Sequence, residues 1–335
     1  MSLFVLIILY LFKTIYLVFL SFHQNNYLVN VSKKNADTLF KEYLDQEYYY
    51  FLNANSSKII KMFQIEINYI TAYLSSFFHV VTEFSFIIAI FFTLIFIAPL
   101  GALSITAFFG IMAVVFFTLI KKRITIYGEK REVYDQSLAK VILETIHAIK
   151  EVKLLGSDSF FIKKQQYYTK HKAIVTRNQL FIGQLPRHFL ELIAVIALIL
   201  FVIILLIQGI NATQLITTLT VFVAASFRMI PSLNRVLNGL QNMRYYQSGI
   251  NTLKEEFLGF TTKPPKFNGQ KKLPFKEEVK LSQVSFGYGE NQQEVLSNIN
   301  LKIKHGSTIG IIGTSGAGKS TLLDIIIGLL FPKKG

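Results

Sequence analysis

The sequence predicts a multi-span α-helical membrane domain followed by the N-terminal part of an α/β domain built on a phosphate-binding loop. Three observations predict it. Five apolar stretches are each long enough, at roughly 17–25 residues, to cross a bilayer as a helix. Residues 313–320 read Gly-Thr-Ser-Gly-Ala-Gly-Lys-Ser, a complete G-x-x-x-x-G-K-[ST] loop. Between the two, residues 261–270 read Thr-Thr-Lys-Pro-Pro-Lys-Phe-Asn-Gly-Gln, whose prolines and glycine suit a linker rather than a helix or strand. The expected division is a transmembrane domain over 1–260, a linker over 261–275 and the leading part of a nucleotide-binding domain over 276–335.

The spans fall near 3–22, 80–98, 100–120, 189–208 and 212–230. Only Pro99-Leu-Gly101 separates the second from the third, and only Gly209-Ile-Asn211 the fourth from the fifth, so each pair is a tight helical hairpin. The stretches at 23–79 and 121–188 are long and polar, with charged and apolar residues interleaved, and read as helices that continue the spans. The second of them carries fourteen Lys and Arg, whereas the two tight turns carry none. The excess of positive charge on cytoplasmic loops then places both long stretches, and the phosphate loop, in the cytoplasm. This topology leaves Met1 outside, directly on an apolar stretch that has no basic run before it and contains Lys13, so a further helix is expected upstream.

Composition narrows the function classes. Apolar residues make up 52% of the chain, with 31 Phe, which suits a membrane protein. The net charge of +15 comes from basic residues beside the hydrophobic spans, which argues for membrane topology and against nucleic acid as partner. The absence of cysteine excludes disulfides and thiolate metal sites, and no His/Asp/Glu cluster has metal-ligand spacing.

The loop carries the chemistry. Gly313, Gly316 and Gly318 let backbone N–H groups approach anionic oxygens closely; Lys319 supplies a charge for the β- and γ-phosphates, and Ser320 a hydroxyl for Mg²⁺. Residues 307–312 are a short β-branched run expected to form the preceding strand. Residues 319–330 are apolar at helical spacing, and Phe331-Pro332 should end that helix. The ligands expected are therefore ATP and Mg²⁺, with Thr314, Ser315, Ala317 and Thr321 completing the contacts.

Upstream, Val284-Ser-Phe-Gly-Tyr288 precedes the loop, and Val295-Leu-Ser-Asn-Ile-Asn-Leu-Lys-Ile303 alternates as a strand. This arrangement resembles the start of an ATP-binding cassette (ABC) domain, in which an aromatic residue stacks on adenine; Tyr288 is the matching position. The whole layout resembles an ABC exporter half-transporter, a family with six spans per subunit that works as a dimer. Two segments, Glu144-Thr-Ile-His-Ala-Ile-Lys-Glu-Val-Lys-Leu-Leu155 and Phe227-Arg-Met-Ile-Pro-Ser-Leu-Asn-Arg-Val236, are similar to the flippases of lipid-linked oligosaccharides that serve bacterial glycosylation and surface glycans.

That resemblance implies a cavity whose basic residues handle a lipid-linked diphosphate, with Lys13, Arg187, Arg228 and Arg235 at the matching positions. Lys13 stands where an arginine is expected. Physical chemistry points the same way for two of them. Arg228 and Arg235 are seven residues apart, hence on one helix face, and charge within a span normally faces water or the bundle interior. Guanidinium also pairs phosphate through two hydrogen bonds. Plainer roles stand beside these: snorkelling for Lys13, an interfacial anchor beside Pro186 for Arg187, and a cytoplasmic position for Arg235. Glu83 and Glu191 read as interfacial or structural, and His147 as packing. The resemblance also implies short coupling helices that rest on the cassettes, expected at 48–55 and 156–161.

Hydrolysis in this family needs a glutamine loop, an L-S-G-G-Q signature, an apolar run ending Asp-Glu and a switch histidine. None follows Ser320 before Gly335, so the chain as written is expected to be a fragment, truncated at both ends, that does not hydrolyse ATP alone. The parent protein is expected in the plasma membrane of a bacterium, exporting or flipping a lipid-linked glycan as a dimer, with a homodimer expected. Two other readings stay open: an exporter of drugs, lipids or peptides, and an inactive fragment or interaction subunit.

Overall fold

The computed structural model describes residues 2–97, 99–207, 212–260, 277–288 and 294–335. The linker expected at 261–275 and the turn at 209–211 lie outside the described residues. Eight helices lead the chain: α1 (Ser2–Leu44), α2 (Tyr48–Asn53), α3 (Ser56–Lys61), α4 (Ile67–Ile97), α5 (Pro99–His147), α6 (Ile149–Leu154), α7 (Asp158–Ile207) and α8 (Ala212–Gly259). Two antiparallel strands, β1 (Glu278–Phe286) and β2 (Leu296–Lys304), and the helix α9 (Lys319–Ile326) follow. The chain forms two compact units, one of residues 1–38 and 56–257, the other of residues 39–55 and 258–335.

The first unit is a bundle of very long helices. Backbone groups in a bilayer must find their hydrogen bonds within the segment, which is why apolar runs of this length become helices. Three helices, over Phe4–Leu44, Ser56–Thr93 and Asp158–Leu200, are long and apolar enough to cross a membrane among the described residues. The spans expected at 100–120 and 212–230 lie in α5 and α8, where part of the side chains falls outside the described residues. The core of the bundle joins Ile87 of α4, Phe109 and Phe116 of α5, Leu190 of α7, and Met229, Leu233 and Leu237 of α8. By contrast, the apolar side chains of the first half of α1, from Phe4 to Phe19, are exposed, as suits a helix facing lipid.

Farther along the same helices the core turns ionic. Arg131 of α5 is 2% exposed and lies over the rings of Tyr69 (3.8 Å), Tyr245 (4.5 Å) and Tyr246 (5.5 Å). Its Nε stands 3.8 Å from Asp135 Oδ2, and neither Nε nor Nη1 makes a hydrogen bond, so ring faces supply much of the contact there. Burial pushes the Tyr245 hydroxyl above the ordinary tyrosine range, which keeps that ring neutral. Asp135, one turn on, accepts from Tyr69 (3.0 Å) and pairs with Lys172 of α7 (2.5 Å). Beside it, buried Lys61 bridges Glu66 (3.0 Å) and Glu132 (3.4 Å).

The Lys61–Glu66 pair explains a π-helical turn over Met62–Glu66. In a regular helix, residues five apart differ by about 140° around the axis, at about 100° per residue. Winding with i→i+5 bonds brings the fifth residue back over the first, so both charges reach one buried face.

Two expectations need correction here. The second short helix is α6, Ile149–Leu154, rather than 156–161: Gly156 takes a left-handed φ of +61°, which ends one segment, and α7 starts at Asp158. In the second unit, residues 307–312 form no strand. A strand needs a ladder partner, and among the described residues none pairs with this segment, whose Ile312 is 96% exposed. A short helix does lie in the stretch expected at 48–55, where α2 occupies Tyr48–Asn53.

Close approach of α5 and α8 depends on Gly128, where an added Cβ would lie 2.5 Å from the Tyr245 carbonyl oxygen. Gly128→Ala is therefore expected to destabilise the bundle by about 1–3 kcal/mol, read as a lower thermal midpoint by circular dichroism in nanodiscs. Arg131→Ala is expected to cost more, about 3–5 kcal/mol, because it strips a partner from buried Asp135; Arg131→Lys should recover only part, since ammonium lacks the planar face the rings require.

Candidate functional site

The phosphate loop runs from the segment after β2 into α9. Gly316 and Gly318 adopt φ of +82° and +83°, a region that glycine enters without penalty. Gly318 is constrained twice, because a Cβ there would sit 2.9 Å from Leu296 Cδ2 and 3.2 Å from the Val295 carbonyl oxygen. The Lys319 ammonium closes the loop on itself, donating to the carbonyls of Gly313 (2.8 Å) and Thr314 (2.7 Å). Gly318 caps α9 without a side-chain bond, so the first amides of the helix keep their donors for an anion. Thr314, Ser315, Gly316, Ala317 and Ser320 are exposed around this opening. The helix is shorter than expected: α9 stops at Ile326, where Gly328 turns left-handed at φ +80° and frees Leu330 to pack in the core.

Behind the loop lies a small apolar core of Val284, Phe286, Leu296, Ile325 and Leu330. Tyr288 stands at its edge, set against the Phe286 ring at 5.1 Å and 89°. Its hydroxyl shares a 2.8 Å hydrogen bond with Thr321 Oγ1, the residue after Ser320. Thr321 is thus buried and engaged with Tyr288, while the hydroxyl of Ser320 is the exposed one at the head of α9. This bond links the Tyr288 ring directly to the first turn of α9, beside the phosphate loop. The cradle of glycines, lysine and open amides fits a nucleoside polyphosphate.

The four basic residues expected at a substrate cavity make separate contacts. Lys13 lies over the Tyr10 ring of its own exposed helix at 5.1 Å. Arg187 pairs with Glu191 one turn along α7 at 2.9 Å, both side chains largely exposed. Arg228 lies 5.8 Å from the Phe86 ring, and Arg235 Nη1 is 2.9 Å from Glu83 Oε1, whose side chain is nearly buried. The structure therefore brings Arg228 and Arg235 together on one neighbour, α4, and leaves Lys13 and Arg187 on other helices. Glu83 proves to be a counter-ion for Arg235. Sequence reading missed this pairing, and it also missed Tyr49, whose ring stacks on Tyr288. An acid inside an apolar span was the available signal for the first; for the second, the aromatic run Tyr48-Tyr-Tyr-Phe51 suits docking or packing but does not name its partner, because residues 49 and 288 are far apart in sequence.

Comparisons with known proteins agree with this geometry. The profile of the ABC transporter family matches residues 296–335. An ATP-dependent lipid A-core flippase of Alkalilimnicola ehrlichii is 24% identical over 309 residues, covering 91% of this chain and 51% of the relative. The heterocyst differentiation ATP-binding protein HepA of a Nostoc species is 27% identical over 311 residues, covering 90% and 49%. In three dimensions, a bacterial Atm1-family ABC exporter with ATP bound superposes with a TM-score of 0.68 at 19% identity, over 93% of this chain and 54% of the other. The chain spans about half the length of the curated relatives it matches.

Lys319→Ala removes the loop's own cross-brace and its only ammonium. It is expected to weaken ATP binding about ten- to a hundredfold, the scale of one or two hydrogen bonds to a charged group, as measured by calorimetric titration with Mg-ATP.

Proposed function

Since this chain has the fold of an ABC exporter half-transporter and carries the start of its cassette, we propose that it binds ATP to drive export or flipping of a lipid-linked oligosaccharide or related glycolipid. The observation that supports the ATP reading is the preformed loop, with Gly316 and Gly318 left-handed and Lys319 held over the carbonyls of Gly313 and Thr314. Gly313, Gly316, Gly318 and Lys319 would hold the phosphates, Tyr288 the base, and Ser320 a Mg²⁺ ion, whose charge offsets that of the phosphates. The chain's own contribution is to fix that cradle, through the Tyr288–Thr321 bond and the packing of Gly318 on β2, before any nucleotide arrives.

On the membrane side, Arg228 and Arg235 are the residues proposed to meet the substrate's diphosphate. The support is their common face on α8 and the pairing of Arg235 with Glu83. A buried carboxylate beside an arginine keeps the guanidinium charged and aimed, and a phosphate competing for it would loosen the α4–α8 contact. Lys13 and Arg187 are proposed as outer contacts for the headgroup, in keeping with their exposure. The working unit is proposed to be a homodimer in the plasma membrane of a bacterium, with its cassettes in the cytoplasm. The domain division proposed remains 1–260, 261–275 and 276–335.

The test uses the protein reconstituted in liposomes, with a fluorescent polyprenyl-diphosphate N-acetylglucosamine and an apolar dye as alternative cargo. Arg228→Ala with Arg235→Ala is expected to cut ATP-dependent flipping of the diphosphate lipid at least tenfold, on the scale of lost charge-assisted bonds. A Glu83→Gln, Arg235→Met double change controls for stability, since it leaves no buried charge unpaired. Transport of the dye but not the diphosphate lipid, unaffected by these changes, would reject the glycolipid reading in favour of a hydrophobic-compound exporter.

A further inference from the structure

The seam between α4 and α8 runs in antiparallel register. Arg228 faces Phe86 and Arg235 faces Glu83. Farther along, Gly239 abuts α4, where an added Cβ would lie 2.5 Å from Val80 Cγ2 and 3.2 Å from the Ser76 carbonyl oxygen. At the far end Gly249 abuts Glu66, the last residue of the π-helical turn, and an added Cβ there would collide with the carboxyl oxygen Oε2. The two acids on this seam are served differently. Glu83 has the Arg235 guanidinium at 2.9 Å. Glu66 is fully buried, with Oε1 3.0 Å from the Lys61 ammonium and no hydrogen bond to Oε2.

Positive charge around Glu66 is already divided. Lys61 of α3 also reaches Glu132 of α5 at 3.4 Å, so two carboxylates share one buried ammonium. Glu132 is the better held of the two, because Thr252 of α8 donates to its Oε1. The neighbouring cations serve other groups. Arg131 of α5 lies on Tyr69 of α4 beside Asp135, which takes Lys172 of α7; Lys58 of α3 pairs with Glu256 of α8 at 2.6 Å. Glu66 lies before the span expected near 80–98. Burial there penalises its charged form more than Lys61 favours it, and holds the carboxyl above the ordinary glutamate range.

We propose that Glu66 is a proton-binding latch of the α4–α8 seam: as the neutral acid it seats against the Gly249 backbone, and as the carboxylate it weakens the seam at that point. The proton goes to Oε2, the oxygen without a partner. Lys61 keeps its contact with Oε1 in both forms, donating to a carboxylate oxygen in one and a carbonyl oxygen in the other. Any state that parts α4 from α8 at Gly249 admits water to Glu66 and releases the proton, so acid favours the closed seam. The folded protein holds this proton more tightly than the unfolded chain, where glutamate titrates at its ordinary 4.5. The stabilisation is therefore complete below that value and is lost as pH rises through the higher value of the folded state. This role is independent of the nucleotide and substrate readings above.

The experiment uses the protein in nanodiscs, for wild type, Glu66→Gln and Glu132→Gln. Infrared spectroscopy follows the carbonyl band of neutral carboxyl groups across pH, and circular dichroism gives thermal midpoints. The difference between wild type and Glu66→Gln is expected to contain one carboxyl band, titrating above 4.5. Glu132→Gln leaves Lys61 to Glu66 alone and should lower the midpoint of that band by about one unit. The amide of Glu66→Gln copies the neutral acid, so this variant should be more stable than wild type at about pH 8. The gap should close toward about pH 5, by up to about tenfold in the folding constant per unit for one proton. A missing band, a band titrating at or below 4.5, or a midpoint unmoved or raised by Glu132→Gln would each overturn the proposal. Parallel thermal midpoints for wild type and Glu66→Gln would do the same. Failure of Glu66→Gln to fold would also count against it, since it would show that the seam requires the charge.

Discussion

Arg131 is the point on which the long-helix bundle depends. Helices of about 50 residues, such as α5 and α7, reach well beyond a bilayer at 1.5 Å per residue, and outside lipid they need lateral contacts to stay together. One guanidinium supplies several at once. It lies on Tyr69 of α4 and on Tyr245 and Tyr246 of α8, while Asp135 beside it on α5 holds Lys172 of α7. Taking these charges out of water is costly, so the arrangement is useful for specificity of register more than for net stability. Aromatic and ionic partners tolerate little sliding, whereas a purely apolar seam would permit it.

The same logic operates on a smaller scale at the π turn. Lys61 and Glu66 could not share a buried face in a regular helix, and the helix changes its winding locally to let them. That turn lies at the start of α4, the helix that also carries Glu83 and Phe86 against Arg235 and Arg228.

The nucleotide loop is organised differently. Its parts are close in sequence, and each is held by its own backbone: two glycines at positive φ, one lysine folded onto two carbonyls, one helix start with free donors. Such a loop needs little from the rest of the molecule to take shape. The contacts of Tyr288, the ring proposed to meet the base, are by contrast long-range: Thr321 to Tyr288 across 33 positions, and Tyr49 to Tyr288 across far more.

Residues 313–320 by themselves determined the phosphate cradle, because the conformation of each glycine and the reach of Lys319 follow from covalent geometry within eight positions. The apolar runs likewise determined that α1, α4 and α7 are long helices, since an unpaired backbone in lipid has no alternative. Only the tertiary structure decided the partners. Glu83, read from sequence as interfacial or structural, became the counter-ion of Arg235; Thr321, grouped with the loop, turned its hydroxyl to Tyr288; and residues 307–312, strand-like in composition, stayed unpaired among the described residues. The reason is common to all three. A helix or a tight loop satisfies its bonds within a few residues, whereas an ion pair, a stacked ring or a strand depends on a partner whose position the local sequence does not contain.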